Sequence, residues 1–382
     1  MKHFVQINLV VLGLLMAVLQ PGNALGADHS CLHQVRSFSS DHQLNNPFDE
    51  ERINGESFEF TQEYLKIPFI PNSGFRFLIR YTRWKPSAEN ANGKVIIYNH
   101  GLQSHRGWFN GTAEDFYDQG YTVYAFDRIG CGESTVIRGS MFESLLSDDA
   151  PLTLSVARGD LRALCFLQDS VRHMIEIASD ENSDQEIWLW ANSYGAKIIT
   201  RYLLKNGRNH VAGAVLTTPG NFRQTETLPL PFGIDELLSA GITDRFSIPM
   251  VEADGDNGAH WFTDNPYWFG KIAADELSTR YVTARFYLKT MTLDLLTKNP
   301  VDPIKLKETP VFYAMVEQDI MMDNLQMVSW IRKYDENYLI KFYQGGDNHK
   351  HFMTFTEDRD EVITDIMSFI SGHAVCIEGG TR

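Results

Sequence analysis

Three side chains, far apart in a chain of 382 residues, have the types that nucleophilic acyl transfer requires: Ser193, Asp319 and a histidine, either His351 or His349. A serine hydroxyl is a weak nucleophile until a base takes its proton. The base in turn needs an acid that fixes its tautomer and orientation. Ser193 stands in Ala191-Asn192-Ser193-Tyr194-Gly195, directly after the apolar run Ile187-Trp188-Leu189-Trp190 and before a helical pattern. A serine between small residues on a sharp strand-to-helix turn is strained and holds its hydroxyl out at the top of a sheet; bulk two positions to either side would strike the neighbouring strand and helix. The helix N-terminus adds N–H groups and partial positive charge where an oxyanion would form. Taken alone, the segment also fits an ordinary turn with a serine cap.

Asp319 follows the run Val311–Val316, and both histidines follow Leu339–Tyr343 through Gly345-Gly346-Asp347-Asn348. The order Ser, Asp, His at three strand exits is that of the α/β-hydrolase triad. An earlier exit, Asn99-His100-Gly101-Leu102, places a glycine where a tight turn leaves backbone N–H groups facing inward. We expect the N–H of Leu102 and the N–H of Tyr194 to form the oxyanion hole.

These residues must be positioned by a scaffold that the hydrophobic pattern outlines. Apolar, β-branched and aromatic runs predict strands at Val95–Tyr98, Thr122–Phe126, Ile187–Ala191, Val211–Leu216, Val311–Val316 and Leu339–Tyr343. Helices are expected at Leu154–Ala178, Tyr194–Lys205, Asn324–Lys333 and Asp358–Ile370. This alternation implies an α/β fold, a mainly parallel central sheet with helices on both faces. Ser57–Tyr64 and Phe75–Trp84 form an expected antiparallel hairpin at its start. Residues 221–303 lack convincing strands and read as a helical cap inserted between core segments 27–220 and 304–382.

Composition narrows the partners. There are 34 Lys+Arg against 49 Asp+Glu, a formal net charge of −15, which argues against nucleic acid and against electrostatic attachment to an anionic bilayer. Lys2 and His3 precede a nearly unbroken apolar run from Phe4 to Leu19, then Pro21, Gly22 and small residues. Those are the three parts of a secretory signal peptide. Residues 1–26 are therefore expected to be removed, after Gly26 or Ala27, and the protein to be periplasmic or secreted. The run is shorter than the ~20 apolar residues of a membrane anchor. The spacing of Cys31, Cys131, Cys165 and Cys376 excludes a zinc knuckle. Two readings stay open: Cys31 pairs with Cys376 while the others are buried singles, or all four are thiols.

Several segments resemble the monoacylglycerol lipase and lysophospholipase group of α/β-hydrolases, which includes certain serine aminopeptidases. Asn99 through His105 with Trp108-Phe109 is similar to the group's His-Gly loop. Asp127-Arg128-Ile129-Gly130-Cys131-Gly132-Glu133-Ser134 resembles its Asp-x-x-Gly-x-Gly-x-Ser loop, which shapes a turn and does not react. Pro310 through Asp323 resembles the acid-bearing strand, with Asp319 on the catalytic acid, and Thr263 through Tyr267 resembles a cap turn. Counting back from Glu361-Val362, the group's spacing lands on His351; counting forward from Tyr343, His349 is nearer. Ala191 and Asn192 depart from the group's usual glycine and histidine. The resemblance implies a two-step acyl-enzyme mechanism with no metal or cofactor, acting on a small-molecule or lipid ester with a medium or long acyl chain, such as a monoacylglycerol or lysophospholipid. Phe232, Phe246, Trp261, Phe262, Trp268 and Phe269 could line an acyl tunnel or form the cap's own core. The alternatives are a peptidase or amidase, with Glu252, Asp254 and Asp256 as an ammonium pocket, and a noncatalytic secreted binding protein. A carboxylate nucleophile, as in dehalogenases and epoxide hydrolases, is disfavoured by Ser193. Oligomeric state is left open.

Overall fold

The computed structural model describes residues 37–39, 46–65, 74–138, 153–154, 159–161, 163–224, 245–248, 256–373, 375–377 and 380–381. The chain divides into two units, Met1–Leu32 and His33–Arg382. The first, with the expected signal peptide, lies outside the described residues.

The second unit is built on an eleven-stranded sheet. Its strands are β1 (Ser37–Ser39), β2 (Glu56–Leu65), β3 (Gly74–Trp84), β4 (Lys94–Asn99), β5 (Thr122–Phe126), β6 (Thr135–Arg138), β7 (Thr153–Leu154), β8 (Glu186–Asn192) and β9 (Gly213–Thr217). After a separate two-stranded antiparallel ribbon of β10 (Arg245–Ser247) and β11 (Tyr281–Thr283), it is completed by β12 (Val311–Val316) and β13 (Tyr338–Tyr343). β14 (Cys376–Ile377) and β15 (Gly380–Thr381) form a small ribbon of their own. The main order is β1-β2-β3-β5-β4-β8-β9-β12-β13. β5, β4, β8, β9, β12 and β13 run parallel, while β2 and β3 form the expected antiparallel hairpin.

β4, β5, β8, β9 and β12 are buried nearly throughout, β5, β9 and β12 along their full length, while β13 at the sheet edge is half-exposed. This is why their sequences read as continuous apolar runs rather than alternating ones. The chain leaves β4 for β5 on one side and returns to β8 on the other. The crevice beyond the carboxyl ends of β4 and β8 is therefore a topological switch point, where open α/β sheets place their ligands.

The helices are α1 (Asn110–Asp118), α2 (Cys165–Glu181), α3 (Tyr194–Asn206), α4 (Pro266–Ala274), α5 (Ala284–Lys298), α6 (Ile304–Lys307), α7 (Asn324–Tyr334) and α8 (Arg359–Ile370). Their starts follow local chemistry. Asn265 accepts from the Tyr267 N–H ahead of Pro266, Thr283 accepts from Phe286, and Asp323 accepts from Gln326. No helix among the described residues is long and apolar enough to cross a membrane.

Three expectations need correction. The helix drawn from Leu154 starts at Cys165, because Thr153 and Leu154 pair with β6 and Gly159 turns the chain at φ +82°. A Cβ on Gly159 would lie 2.0 Å from the Tyr281 carbonyl oxygen, so the turn is built against β11. The strand drawn at Val211–Leu216 is Gly213–Thr217, since the Val211 N–H closes a turn onto Arg208. The segment between β9 and β12, read as helical, also contains the β10–β11 ribbon. Its three-residue strands are too short to leave a periodic signal.

Cys131 is a buried thiol, and Cys165 is a half-buried one rather than buried. The Cys31–Cys376 pairing lies outside the described side chains.

Candidate active site

β8 delivers the serine. Its last six residues are buried, with Trp190 edge-on to Phe109 at 4.8 Å, and it ends at Asn192. Ser193 then takes φ 52°, ψ −117° before α3 begins. Such backbone strain costs on the order of 1–3 kcal/mol and persists only where its surroundings enforce it. Here the Ser193 N–H donates to the Thr217 carbonyl at 3.0 Å, and its own carbonyl accepts from Gly220 at 2.9 Å and from Lys197 at 3.3 Å. Gly195 lets α3 approach β4: a Cβ there would sit 2.2 Å from the Asn99 oxygen. Ala191, in place of the usual glycine, is fully buried.

β12 and β13 deliver the candidate acid and base. His351 Nδ1 lies 2.8 Å from Asp319 Oδ2. Both groups are buried, His351 completely. The second oxygen, Oδ1, accepts from the N–H groups of Met321 at 2.7 Å and Met322 at 3.1 Å. The carboxylate is thereby fixed in orientation, and the imidazole Nδ1 carries the proton. His349 is placed elsewhere: half-buried, at φ +53°, its ring nitrogen bonded to the Gln344 carbonyl. Of the two candidate histidines, His351 is the one joined to Asp319.

The opposite ring nitrogen, His351 Nε2, is buried and has no hydrogen-bond partner among the described residues. The bond to the Ser193 hydroxyl is therefore not closed in this resting geometry, as is common before substrate binds. The two segments are nonetheless neighbours. Phe352, Met353 and Thr354, directly after His351, share one small cavity with Asn192, Thr217, Tyr98, Phe109 and Trp190.

The third component is the loop after β4. A Cβ on Gly101 would lie 3.5 Å from Ser193 Cβ and 3.0 Å from Asn192 Oδ1, so the loop passes flat against the serine. Neither the Leu102 nor the Tyr194 N–H has an acceptor among the described residues. The loop is braced by groups that the sequence reading passed over. Arg128 Nη2 donates to the Gly101 carbonyl at 2.8 Å and Nη1 to that of His100. The Arg128 N–H donates to His100 Nε2 at 3.1 Å. Burial, with Arg128 adjacent, drives the His100 pKa well down, so its ring is neutral. Asp127, expected only to shape its loop, accepts from the N–H groups of Arg106 and Glu133 and pairs with the Arg106 guanidinium.

The segment after β9 is tied to this loop. His105 Nε2 lies 3.0 Å from Asp275 Oδ2, and the same oxygen accepts from Trp108 Nε1 at 2.8 Å and Ser278 Oγ at 2.6 Å. Burial alone would raise the Asp275 carboxyl, but these partners hold it down at about 2. The Thr279 N–H donates to the Gln103 carbonyl at 2.8 Å. The sequence signal for the first contact was present in the second histidine of the His-Gly loop, but nothing in the order of residues pointed to Asp275.

Of the six aromatics weighed for a tunnel, Phe262 and Trp268 belong to a packed cluster. Phe262 is edge-on to Trp108 at 5.3 Å, and Trp268 stacks on Phe355 at 4.2 Å. Phe246 is half-buried against Tyr287, Trp261 and Phe269 are half-buried, and Phe232 lies outside the described residues. Asp256 accepts from Gly258 and His260 within its own turn, while Glu252 and Asp254 lie outside the described residues. Among the described residues no group of three or more His, Cys, Asp or Glu is placed to hold a metal ion.

A family model described as serine aminopeptidase, S33 matches residues 90–351, which is more than half of the chain and contains Leu102, Ser193, Asp319 and His351. The chain belongs to this serine aminopeptidase family. An uncharacterised abhydrolase domain-containing protein of Dictyostelium discoideum is 27% identical over 136 residues, 36% of this chain, and the match spans 12% of that protein's length. The fold of this serine aminopeptidase family member is similar to that of a monoacylglycerol lipase from Paleococcus ferrophilus, with TM-score 0.57 and 15% identity over 77% of this chain and 98% of the other. It is also similar to a soluble variant of the monoglyceride lipase of Saccharomyces cerevisiae in complex with a substrate analogue (TM-score 0.59, 16% identity, 82% and 94% covered). A third likeness is to a thermostable carboxyl esterase from Bacillus coagulans in complex with glycerol (0.56, 17%, 82% and 98%). The expected α/β-hydrolase fold is thus the observed one.

Proposed function

We propose that this chain is an exported serine hydrolase that cleaves carboxylic esters through an acyl-enzyme, with lipid-like monoacyl esters as its substrates. The observation that carries the reading is the 2.8 Å bond between His351 and the doubly anchored Asp319, with the residues just after His351 sharing a small cavity with Asn192, the residue before the strained Ser193. In the mechanism, His351 Nε2 takes the Ser193 proton as the hydroxyl attacks the ester carbonyl, and Asp319 stabilises the imidazolium. The Leu102 and Tyr194 N–H groups receive the oxyanion. His351 then protonates the leaving alcohol, and water repeats the cycle to release the acid.

The ester preference is supported by fold neighbours that are themselves named lipases and an esterase. The peptidase reading draws on the family's description. It needs an acid free to meet a substrate ammonium, and Asp256 is engaged within its own turn. The test is a panel of p-nitrophenyl acyl esters, monoacylglycerols, lysophospholipids and aminoacyl anilides, run on wild type and Ser193→Ala. Turnover of the longer acyl esters, lost in Ser193→Ala, is expected. Anilide turnover without ester turnover would favour the peptidase, and no turnover with no fluorophosphonate labelling would favour a noncatalytic binding protein.

A further inference from the structure

Arg128 is 2% exposed and has no carboxylate partner among the described residues. Burying a cation without a counter-charge is costly unless its donors are taken up. By contrast, the nearby Arg106 is paired with both Asp127 and Glu133. The Arg128 donors go to the carbonyl oxygens of His100 and Gly101 and, at 3.7 Å, to Cys131 Sγ. Its guanidinium carbon also lies 5.3 Å from the centre of the Tyr194 ring. One buried cation therefore holds the backbone just ahead of Leu102 and lies over the side chain of Tyr194, the two residues that supply the oxyanion donors.

The contact with Gly101 has a direct consequence for Leu102. In a planar trans peptide the Gly101 carbonyl and the Leu102 N–H point in opposite directions. Holding the carbonyl against Arg128 therefore aims the N–H the other way. His100 adds to the hold: its Nε2 accepts from the Arg128 N–H, so its Nδ1 carries the proton and donates to the Gly101 carbonyl at 2.9 Å. Two donors on one carbonyl, one of them charged, also draw density toward that oxygen and strengthen the Leu102 N–H as a donor. We propose that Arg128 is a positioning residue that aims and polarises the Leu102 N–H of the oxyanion hole. This role rests on the serine hydrolase reading above and assigns to the Asp-Arg-Ile-Gly loop a part in the reaction beyond shaping a turn.

The test compares Arg128→Met and Arg128→Lys with wild type, on a p-nitrophenyl ester and on the corresponding thionoester, whose sulfur is a poor hydrogen-bond acceptor. Removing an oxyanion donor outright costs about 10²–10³ in kcat. Weakening one through its carbonyl is expected to lower kcat about 10- to 100-fold in Arg128→Met, with KM changed less than about threefold. Wild-type preference for the oxoester should shrink by a similar factor. Arg128→Lys, which keeps the charge but cannot span two carbonyls, should fall between. An Arg128→Met enzyme that loses oxoester and thionoester turnover equally, or keeps kcat within about threefold, overturns the role, as does failure of both variants to fold. A wild type with neither ester turnover nor labelling of Ser193 by a fluorophosphonate overturns the hydrolase reading, and this role with it.

Discussion

Asp319→Asn separates the electrostatic task of the acid from its packing. Asp319 Oδ1 is held by the N–H groups of Met321 and Met322, and Oδ2 faces His351 Nδ1. An asparagine must keep its oxygen on those two donors, because its NH₂ there would face N–H groups. The amide NH₂ is then turned toward Nδ1. His351 must accept at Nδ1 and carry its proton on Nε2, which leaves the ring unable to take a proton from Ser193. Inverting the tautomer in this way costs about 10⁴ in kcat, or ~5 kcal/mol of transition-state stabilisation. The fold loses only one charge-assisted bond, worth about 1.5–3 kcal/mol. The assay is steady-state hydrolysis of a p-nitrophenyl acyl ester beside a thermal melt. A loss of at least about 10³ in kcat with a near-native melt is expected. A folded Asp319→Asn enzyme within about tenfold of wild type would refute the reasoning.

Further outcomes follow from the same geometry. His351→Gln should abolish ester turnover, whereas His349→Gln, altering a ring whose one bond among the described residues is to the Gln344 carbonyl, should leave it within about twofold; the reverse pattern in the two kinetic assays would reassign the base. Gly195→Ala would place a methyl 2.2 Å from the Asn99 oxygen and 2.5 Å from the His100 oxygen, backbone atoms that cannot rotate away. It should cost at least ~1–3 kcal/mol and most activity, and an unchanged melt and turnover would contradict this. Burial raises the Asp335 carboxyl to about 6 while it accepts from Tyr313 Oη. The folded protein thus binds this proton more tightly than the unfolded chain, where the value is about 4. The contribution is present below that pH and is lost as pH rises through 6. Asp335→Asn should gain in melting temperature relative to wild type as pH goes from 4 to 7, and parallel curves would rule this out.

What could be read from the sequence follows from how each element earns its stability. Strands β4, β5, β8 and β12 are buried on both faces, so their apolar runs stand out without any partner being known. Because open α/β sheets carry their sites at strand exits, the candidates Ser193, Asp319 and the two histidines could be picked out by walking those exits. The choice between His349 and His351 needed three dimensions. One residue, Lys350, separates them, and only the path of the loop after Gly345 and Gly346 brings His351 to Asp319. The β10–β11 ribbon was hidden because Arg245-Phe246-Ser247 and Tyr281-Val282-Thr283 are held by pairing with each other, not by a periodic face of their own. The start of α2 was misplaced because the turn at Gly159 and Asp160 is stabilised from a segment more than a hundred residues on, where Asp160 accepts from Thr283 and Arg285. Arg128 carried no signal at all as a lone arginine in a loop; only its burial against two carbonyls gives it meaning.

The most direct measurement is the site of covalent capture by a fluorophosphonate, read by peptide mass spectrometry on the folded wild type and on Ser193→Ala. The account predicts a single adduct on Ser193, absent from Ser193→Ala and slowed in His351→Gln. An adduct on another residue, or labelling that survives in Ser193→Ala, would contradict it.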